Sequence, residues 1–213
     1  MARYQKGYNT GEKIYQCAKN LMYKRGYRNA TIETIALKAD VPVGLVNYYF
    51  KKDEILARMY KEFDMKIRSF IAENFGQAEE DLLVYRIVFN RIFFSVTLSD
   101  GKVRALFKEV FTKRLLVGDD KYFNETALML RSLSVDITQA MLFRLMTAES
   151  GALSRLLLTF YDKMDFPKDK ALIDLMGCVV VSLAGVESSV ISEGISKADK
   201  LLARKDIAKV GFI

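Results

Sequence analysis

The stretch Asp40 to Phe50, DVPVGLVNYYF, decides how this chain folds. A segment from Thr31 to Ala39 runs up to it, with Ile32, Ile35, Ala36 and Ala39 at helical spacing. Thr31 has the hydroxyl of a helix N-cap, and Glu33 in the first turn suits the positive end of the helix dipole. A tight break follows at Asp40-Val41. Pro42 suits the first turn of a new helix, because the N–H it lacks would have no intrahelical acceptor there. That second helix runs to about Phe50. Two short helices joined by a brief turn form the unit that lays its second helix in the DNA major groove.

On the second helix Val43, Gly44, Asn47 and Tyr48 share the outer face, while Val46, Tyr49 and Phe50 are better placed for packing. Gly44 has no side chain to hold the backbone away from DNA. Asn47 has the two-point geometry that pairs with adenine, and apolar groups meet the thymine methyl. Tyr48 and Tyr49 offer hydroxyls to phosphate, with core packing as the alternative for each. Lys51 and Lys52 follow where a neighbouring phosphate would lie, with a solvated loop as their alternative. The expected DNA-binding set is therefore Thr31, Val43, Gly44, Leu45, Asn47, Tyr48, Tyr49, Lys51 and Lys52.

Upstream, residues 1–9 read as a flexible basic arm carrying Arg3 and Lys6. Thr10 can cap a first helix whose buried face is Ile14, Cys17, Ala18, Leu21 and Met22, and Gly26 stops it. Downstream, Asp53 and Glu54 open a long helix whose apolar stripe runs from Ile55 through Phe63 to Ile71. Residues 1–61 hold 12 Lys and Arg against 5 Asp and Glu, whereas residues 62–213 hold 21 of each. The whole positive excess thus sits on the helix-turn-helix segment, the footprint of a phosphate-binding head on a neutral body.

Composition excludes several function classes. The chain has no His, so no imidazole is at hand for a Ser-His or Cys-His pair or for a metal. Cys17 and Cys178 make neither a disulfide framework nor a zinc site. No metal or cofactor is expected, and a reducing, cytoplasmic location fits. The longest uncharged apolar run, Leu175 to Val186, has 12 residues and is too short to cross a bilayer. The first residues lack the apolar core of a secretion signal. Only two prolines, Pro42 and Pro167, interrupt a Leu-, Ala-, Lys- and Met-rich chain, so the expected fold class is all-α.

The basic segment resembles the N-terminal pattern of the tetracycline-repressor (TetR) family of bacterial regulators. The residues that carry the resemblance are Ala30-Thr31, Ile35-Ala36, Val41, Gly44, Tyr48-Tyr49-Phe50, Lys51, Glu54 and Leu56, ungapped over residues 10–60. Asp40 stands where glycine is usual in the turn, Pro42 replaces a common serine, and Asn47 takes a position often held by tyrosine. Asp53 stands where a lysine often meets phosphate, which moves that contact to Lys51 or Lys52. The resemblance implies an all-helical homodimer of about nine helices per chain that reads a palindrome. It further implies a C-terminal domain that binds a small molecule and answers by moving helix four. Residues 1–52 would be the DNA-binding domain and residues 53–213 the ligand-binding and dimerisation domain.

In the body, residues 79–98 are apolar nearly all round, as a central helix is. Further helices are expected over Val103 to Leu116, Tyr122 to about Ala148 and Gly151 to Asp162, with a turn at Val117 to Asp120. Phe89, Phe93, Phe107, Phe111, Met129, Phe143 and Met146 are the candidates for a pocket lining, with plain core as the alternative. Arg86, Arg91, Arg131 and Arg144 could orient an anion, although a solvated helix face suits each better. Lys168 to about Ser192 reads as one long helix. Its small-residue face is Gly177, Val181, Ala184, Gly185, Ser188 and Ser192, and the resemblance makes that face the dimer candidate. A final helix is expected over residues 197–210.

The function so indicated is a homodimeric transcriptional regulator, a repressor released from double-stranded operator DNA by a small apolar or amphipathic effector. An activator or partner-controlled regulator of the same fold is the first alternative. A helical enzyme acting on a hydrophobic substrate is the second. For the enzyme there is no Gly-rich phosphate loop, no Gly-x-Ser-x-Gly elbow and no carboxylate cluster at metal-ligand spacing.

Overall fold

Capping side chains set the starts of four helices. Thr31 accepts from the Thr34 N–H at 3.2 Å, Asp81 from Val84 at 3.2 Å, Asp100 from Lys102 at 2.7 Å and Thr138 from Met141 at 3.2 Å. Each satisfies an amide that the first helical turn leaves without a partner, a stabilisation of about 1 kcal/mol. The computed structural model describes residues 2–113, 115, 120–165, 168–203, 207 and 210–212; the side chains of residues 2–6, 77, 79 and 120 lie outside that set. In chain order the helices are α1 (Ala2–Asn29), α2 (Ile32–Ala39), α3 (Val43–Tyr49), α4 (Lys52–Asn74), α5 (Leu82–Ser99), α6 (Gly101–Thr112), α7 (Asp120–Ser132), α8 (Gln139–Phe160), α9 (Lys170–Leu183) and α10 (Ser188–Leu202). Two 3-10 turns follow α4 and α8, and no strand occurs among the described residues. The fold is all-α with a helix-turn-helix head, and the described residues form ten α-helices where the resemblance implied about nine.

α1, α2 and α3 with the start of α4 enclose the head core: Ile14, Ala18, Met22, Ile35, Ala39, Val46, Ile55 and Met59 are all buried. α5 is the centre of the body and packs on α4, α6, α7, α9 and α10. That explains its apolar circumference. α5 is also long and apolar enough to cross a membrane by length and composition, but here it is a buried core helix with Arg91 in its middle. An aromatic cluster joins the layers, with Phe63 of α4, Phe93 of α5 and Phe107 of α6 within 4.9–5.7 Å of one another.

Several expected boundaries move. α1 begins at Ala2 and takes in the expected arm, so Thr10 lies inside the helix and does not start it. The side chains of Arg3 and Lys6 lie outside the described residues, as does most of the expected turn at 117–120. Gly26 does break the regular helix, at φ 79°. The expected helix from Tyr122 to Ala148 is two helices. The chain turns at Ser134, at φ 61°, and Thr138 caps α8, which then runs through Gly151 without a break. The expected helix from Lys168 to Ser192 also divides: α9 ends at Leu183, Gly185 takes φ 81°, and α10 restarts at Ser188. α10 ends at Leu202, inside the expected helix over 197–210; residues 204–206, 208 and 209 of that stretch lie outside the described residues.

Arg86 and Arg91 are not on solvated faces. Arg91 is 1 % exposed and holds Asp174 of α9 in two parallel bonds at 2.7 and 2.9 Å, and Asp199 of α10 at 2.8 Å. Arg86 donates to the Gly177 carbonyl at 2.8 Å, the Tyr122 hydroxyl at 2.5 Å and the buried Glu149 carboxylate. The two guanidiniums bind α5 to α7, α8, α9 and α10. Leaving either of them unpaired would cost several kcal/mol, on the order of 3–5.

Candidate nucleic-acid interface

The turn between α2 and α3 is built by Asp40, which adopts the left-handed conformation at φ 52°, ψ 57°. Its N–H donates back to the Leu37 carbonyl at 3.3 Å, and the Val41 N–H to Ala36 at 3.1 Å. Glycine reaches this region freely. Aspartate, like asparagine, tolerates it better than most L-residues, which explains how it can stand there. Pro42, at φ −59°, occupies the cap position one residue before α3, and its carbonyl accepts from Leu45 at 2.9 Å.

α3 buries Val46 completely and turns Val43, Gly44, Asn47 and Tyr48 outward, with Tyr48 79 % exposed. Nothing lies within 4 Å of where a Cβ at Gly44 would be, so this part of the helix is open to a close approach. Leu45 is half-buried against the core. Tyr49 is half-buried as well, and its ring lies against α1: a Cβ at Gly11 would stand 3.1 Å from Tyr49 Cδ1. Gly11 thus makes room for Tyr49. The spacing within α3 had marked it for packing, and Gly11 is the partner that sequence reading missed.

The two lysines after α3 differ. Lys51 is exposed, and its backbone N–H is held by Glu54 Oε2 at 2.9 Å. Lys52 turns back onto α1. Its Nζ lies 4.2 Å above the Tyr27 ring and donates to the Arg28 carbonyl at 3.3 Å. Burial, then the nearby Lys113 charge, lowers its pKa. Asp53 accepts from the Tyr27 hydroxyl and pairs with Lys113 at 3.2 Å; the Tyr27 bond is the main reason its carboxyl lies below the usual range. Tyr23 donates to Asp100 at 2.7 Å, and Arg28 pairs with Glu109 at 3.3 Å. These ties run along α1 and fasten the head to α6.

Residues 14–59 match the family model of bacterial regulatory proteins of the tetR family. The head is that of a TetR-family regulator. No curated protein and no solved structure matches the chain. The TetR-family match spans the core of α1, all of α2 and α3 and the first part of α4, the elements that position the outward face of α3. A head of this kind supports a DNA-binding transcriptional regulator.

The body distributes its candidate residues differently from the sequence expectation. Phe93, Phe107 and Met129 are buried, and Phe89, Phe111 and Met146 are half-buried. Phe143 is 66 % exposed on α8, so it lies on the surface and not in an interior space. A cleft of about 400 Å³ opens elsewhere, between Tyr23 of α1, Ser95 and Ser99 of α5, Asp100, Val103 of α6 and the segment Val210–Phe212. None of the seven pocket candidates lines it. The small-residue set also divides. Gly177 and Val181 face inward, and a Cβ at Gly177 would stand 2.8 Å from Asn90 Nδ2 of α5. Ala184 is half-buried, while Gly185, Ser188 and Ser192 are exposed beyond the break in the helix.

Proposed function

We propose that the chain is a homodimeric repressor, residing in the cytoplasm, that leaves a palindromic operator when a small apolar or amphipathic effector binds its body. The observation that carries the reading is the outward face of α3, with Val43, Gly44, Asn47 and Tyr48 exposed beside the exposed Lys51 on the basic third of the chain. In this reading Asn47 reads bases, Val43 and Gly44 lie against the groove floor, and Tyr48 and Lys51 hold phosphate. Thr31 at the start of α2 adds a phosphate contact through the helix N-terminus. Leu45, Tyr49 and Lys52 serve chiefly to seat α3 and α4. Residues 1–52 act as the reading unit and residues 53–213 as the effector-binding and dimerising unit.

The apolar residues left on the surface of the last helices support dimerisation. Leu175 and Leu183 are 53 % and 49 % exposed on α9, with Leu172 and Val179 half-buried along the same stripe. On α8, Phe143, Leu158 and Phe160 are 43–66 % exposed. A second copy covering these helices would bury that surface. Selecting bound DNA from a random pool tests the reading. A consensus with two-fold symmetry is the expected result. Enrichment of an asymmetric site, or of none, would remove the palindrome and the dimer together.

A further inference from the structure

Val210–Phe212 sits between α4 and α6 as a small molecule sits in a site. Phe212 is 6 % exposed. Its ring stands edge-on to Phe63 of α4 at 5.4 Å and to Phe107 of α6 at 5.5 Å, the favoured geometry for aromatic pairs. Phe63 and Phe107 in turn contact Phe93, so the Phe212 ring closes an aromatic box. Among the described residues the polar hold on the segment is light. Lys66 Nζ reaches the Phe212 carbonyl at 3.5 Å, and the Val210 N–H donates to Ile207 at 3.2 Å. On its other side the same segment walls the cleft of about 400 Å³ that is lined by Tyr23, Ser99, Asp100 and Val103. Three residues therefore stand as a partition between an open cleft and an aromatic interior.

We propose that this is a ligand site stoppered by its own chain: a planar aromatic molecule of one or two rings comes in through the cleft and takes the seat of the Phe212 ring. Such a ring makes the same edge contacts with Phe63 and Phe107. The only difference is that Phe212 is a competitor held at high local concentration by its own backbone. The seat borders α4 and α6, so the occupant meets both, and the cleft through which it enters borders α1 at Tyr23. The consequence for DNA rests on the effector-release reading above; the stopper itself does not.

The sequence has no Trp, so Phe212→Trp places a single tryptophan at the seat, excited selectively beyond the tyrosine band. Toluene serves as the probe, since it is planar and does not absorb where tryptophan is excited. In the full chain, Phe212→Ala should bind toluene about ten-fold more tightly than the parent. A seat open in about one molecule in ten gains that factor when the stopper is removed. Phe212→Leu should fall between them and serves if the alanine variant does not fold. In the Phe212→Trp chain, saturating toluene should move the emission to the red as the indole leaves its apolar seat. Equal affinity across the parent, Leu and Ala chains, no binding to any of them, or bound toluene with unmoved emission overturns the proposal. Displaced Trp with unchanged DNA affinity would keep the stopper and remove the effector-release reading. DNA release with Trp still seated would do the reverse.

Discussion

Lys51 and Lys52 are neighbours with the same charge, yet Lys51→Ala and Lys52→Ala should fail in different ways. Lys51 is exposed, whereas Lys52 donates to the Arg28 carbonyl at 3.3 Å and covers the Tyr27 ring. A phosphate contact releases about 0.9 of a counterion on duplex DNA, so losing one lowers the log–log salt slope by about 0.9 per head and about 1.8 for two heads. If the contact contributes nothing at 1 M salt, the same exponent makes the loss per head about 15-fold at 50 mM and about 4-fold at 200 mM. The contact is to phosphate, so these factors should hold on any duplex of sufficient length. Lys52→Ala should leave the slope within about 0.3 of the parent, and should instead lower head stability by about 1 kcal/mol through the lost bond and ring contact. Fluorescence anisotropy on a labelled 30-mer across a salt series, with a thermal melt of each variant, reads both quantities. A slope unchanged by Lys51→Ala, or lowered equally by Lys52→Ala, refutes the assignment.

Three further outcomes are expected. Asn47→Ala should weaken binding to the selected operator by about 1–3 kcal/mol, concentrated at one or two base pairs, and leave binding to random DNA nearly unchanged; competition with single-base operator variants checks it. Asp174→Asn should lower stability by about 3 kcal/mol and the melting temperature by about 6–12 °C, because Arg91 is 1 % exposed and loses a charged partner. Tyr27→Phe should make the chain less stable above pH 4 and converge on the parent at lower pH. The Tyr27 bond depresses the Asp53 pKa below its ordinary 3.8, so its stabilisation is present above that value and is lost as pH falls through the folded value. Melts of parent and variant from pH 2.5 to pH 7 decide it, and a gap that widens on acidification would contradict the sign.

The head was legible because its signals are local. Thr31, Gly26 and Pro42 each act within one turn of their own position, and the 3.6-residue period singled out Val46 for burial and Asn47 for exposure. The body was less legible for two physical reasons. Its breaks depend on backbone conformations that composition does not announce: Ser134 takes φ 61° without being a glycine, and Gly185 lay inside an apolar run that otherwise reads as continuous. Its polar contacts bridge great distances along the chain. Arg86 meets Glu149, 63 positions away, and Arg91 meets Asp199, 108 positions away. Periodicity sees one helix at a time, so it assigned both arginines to water. Tyr49 is an intermediate case. Its inward turn could be read from the helix, but the gap it fills at Gly11 could not.

α4 has 23 residues and so is a rod about 34 Å long, with Phe75 at one end and the lysine that follows α3 at the other. At that length, small angles become large arcs. A swing of about 6° about the Phe75 end carries the far tip through about 3.6 Å, roughly the rise of a single base pair. Opposed swings in two symmetry-related rods would put the reading surfaces out of register by about two steps. Phe63, where the rod crosses the aromatic cluster, lies about 18 Å from that pivot, so a shift of only about 2 Å there would decide whether the two heads of the proposed dimer can grip both halves of a site together.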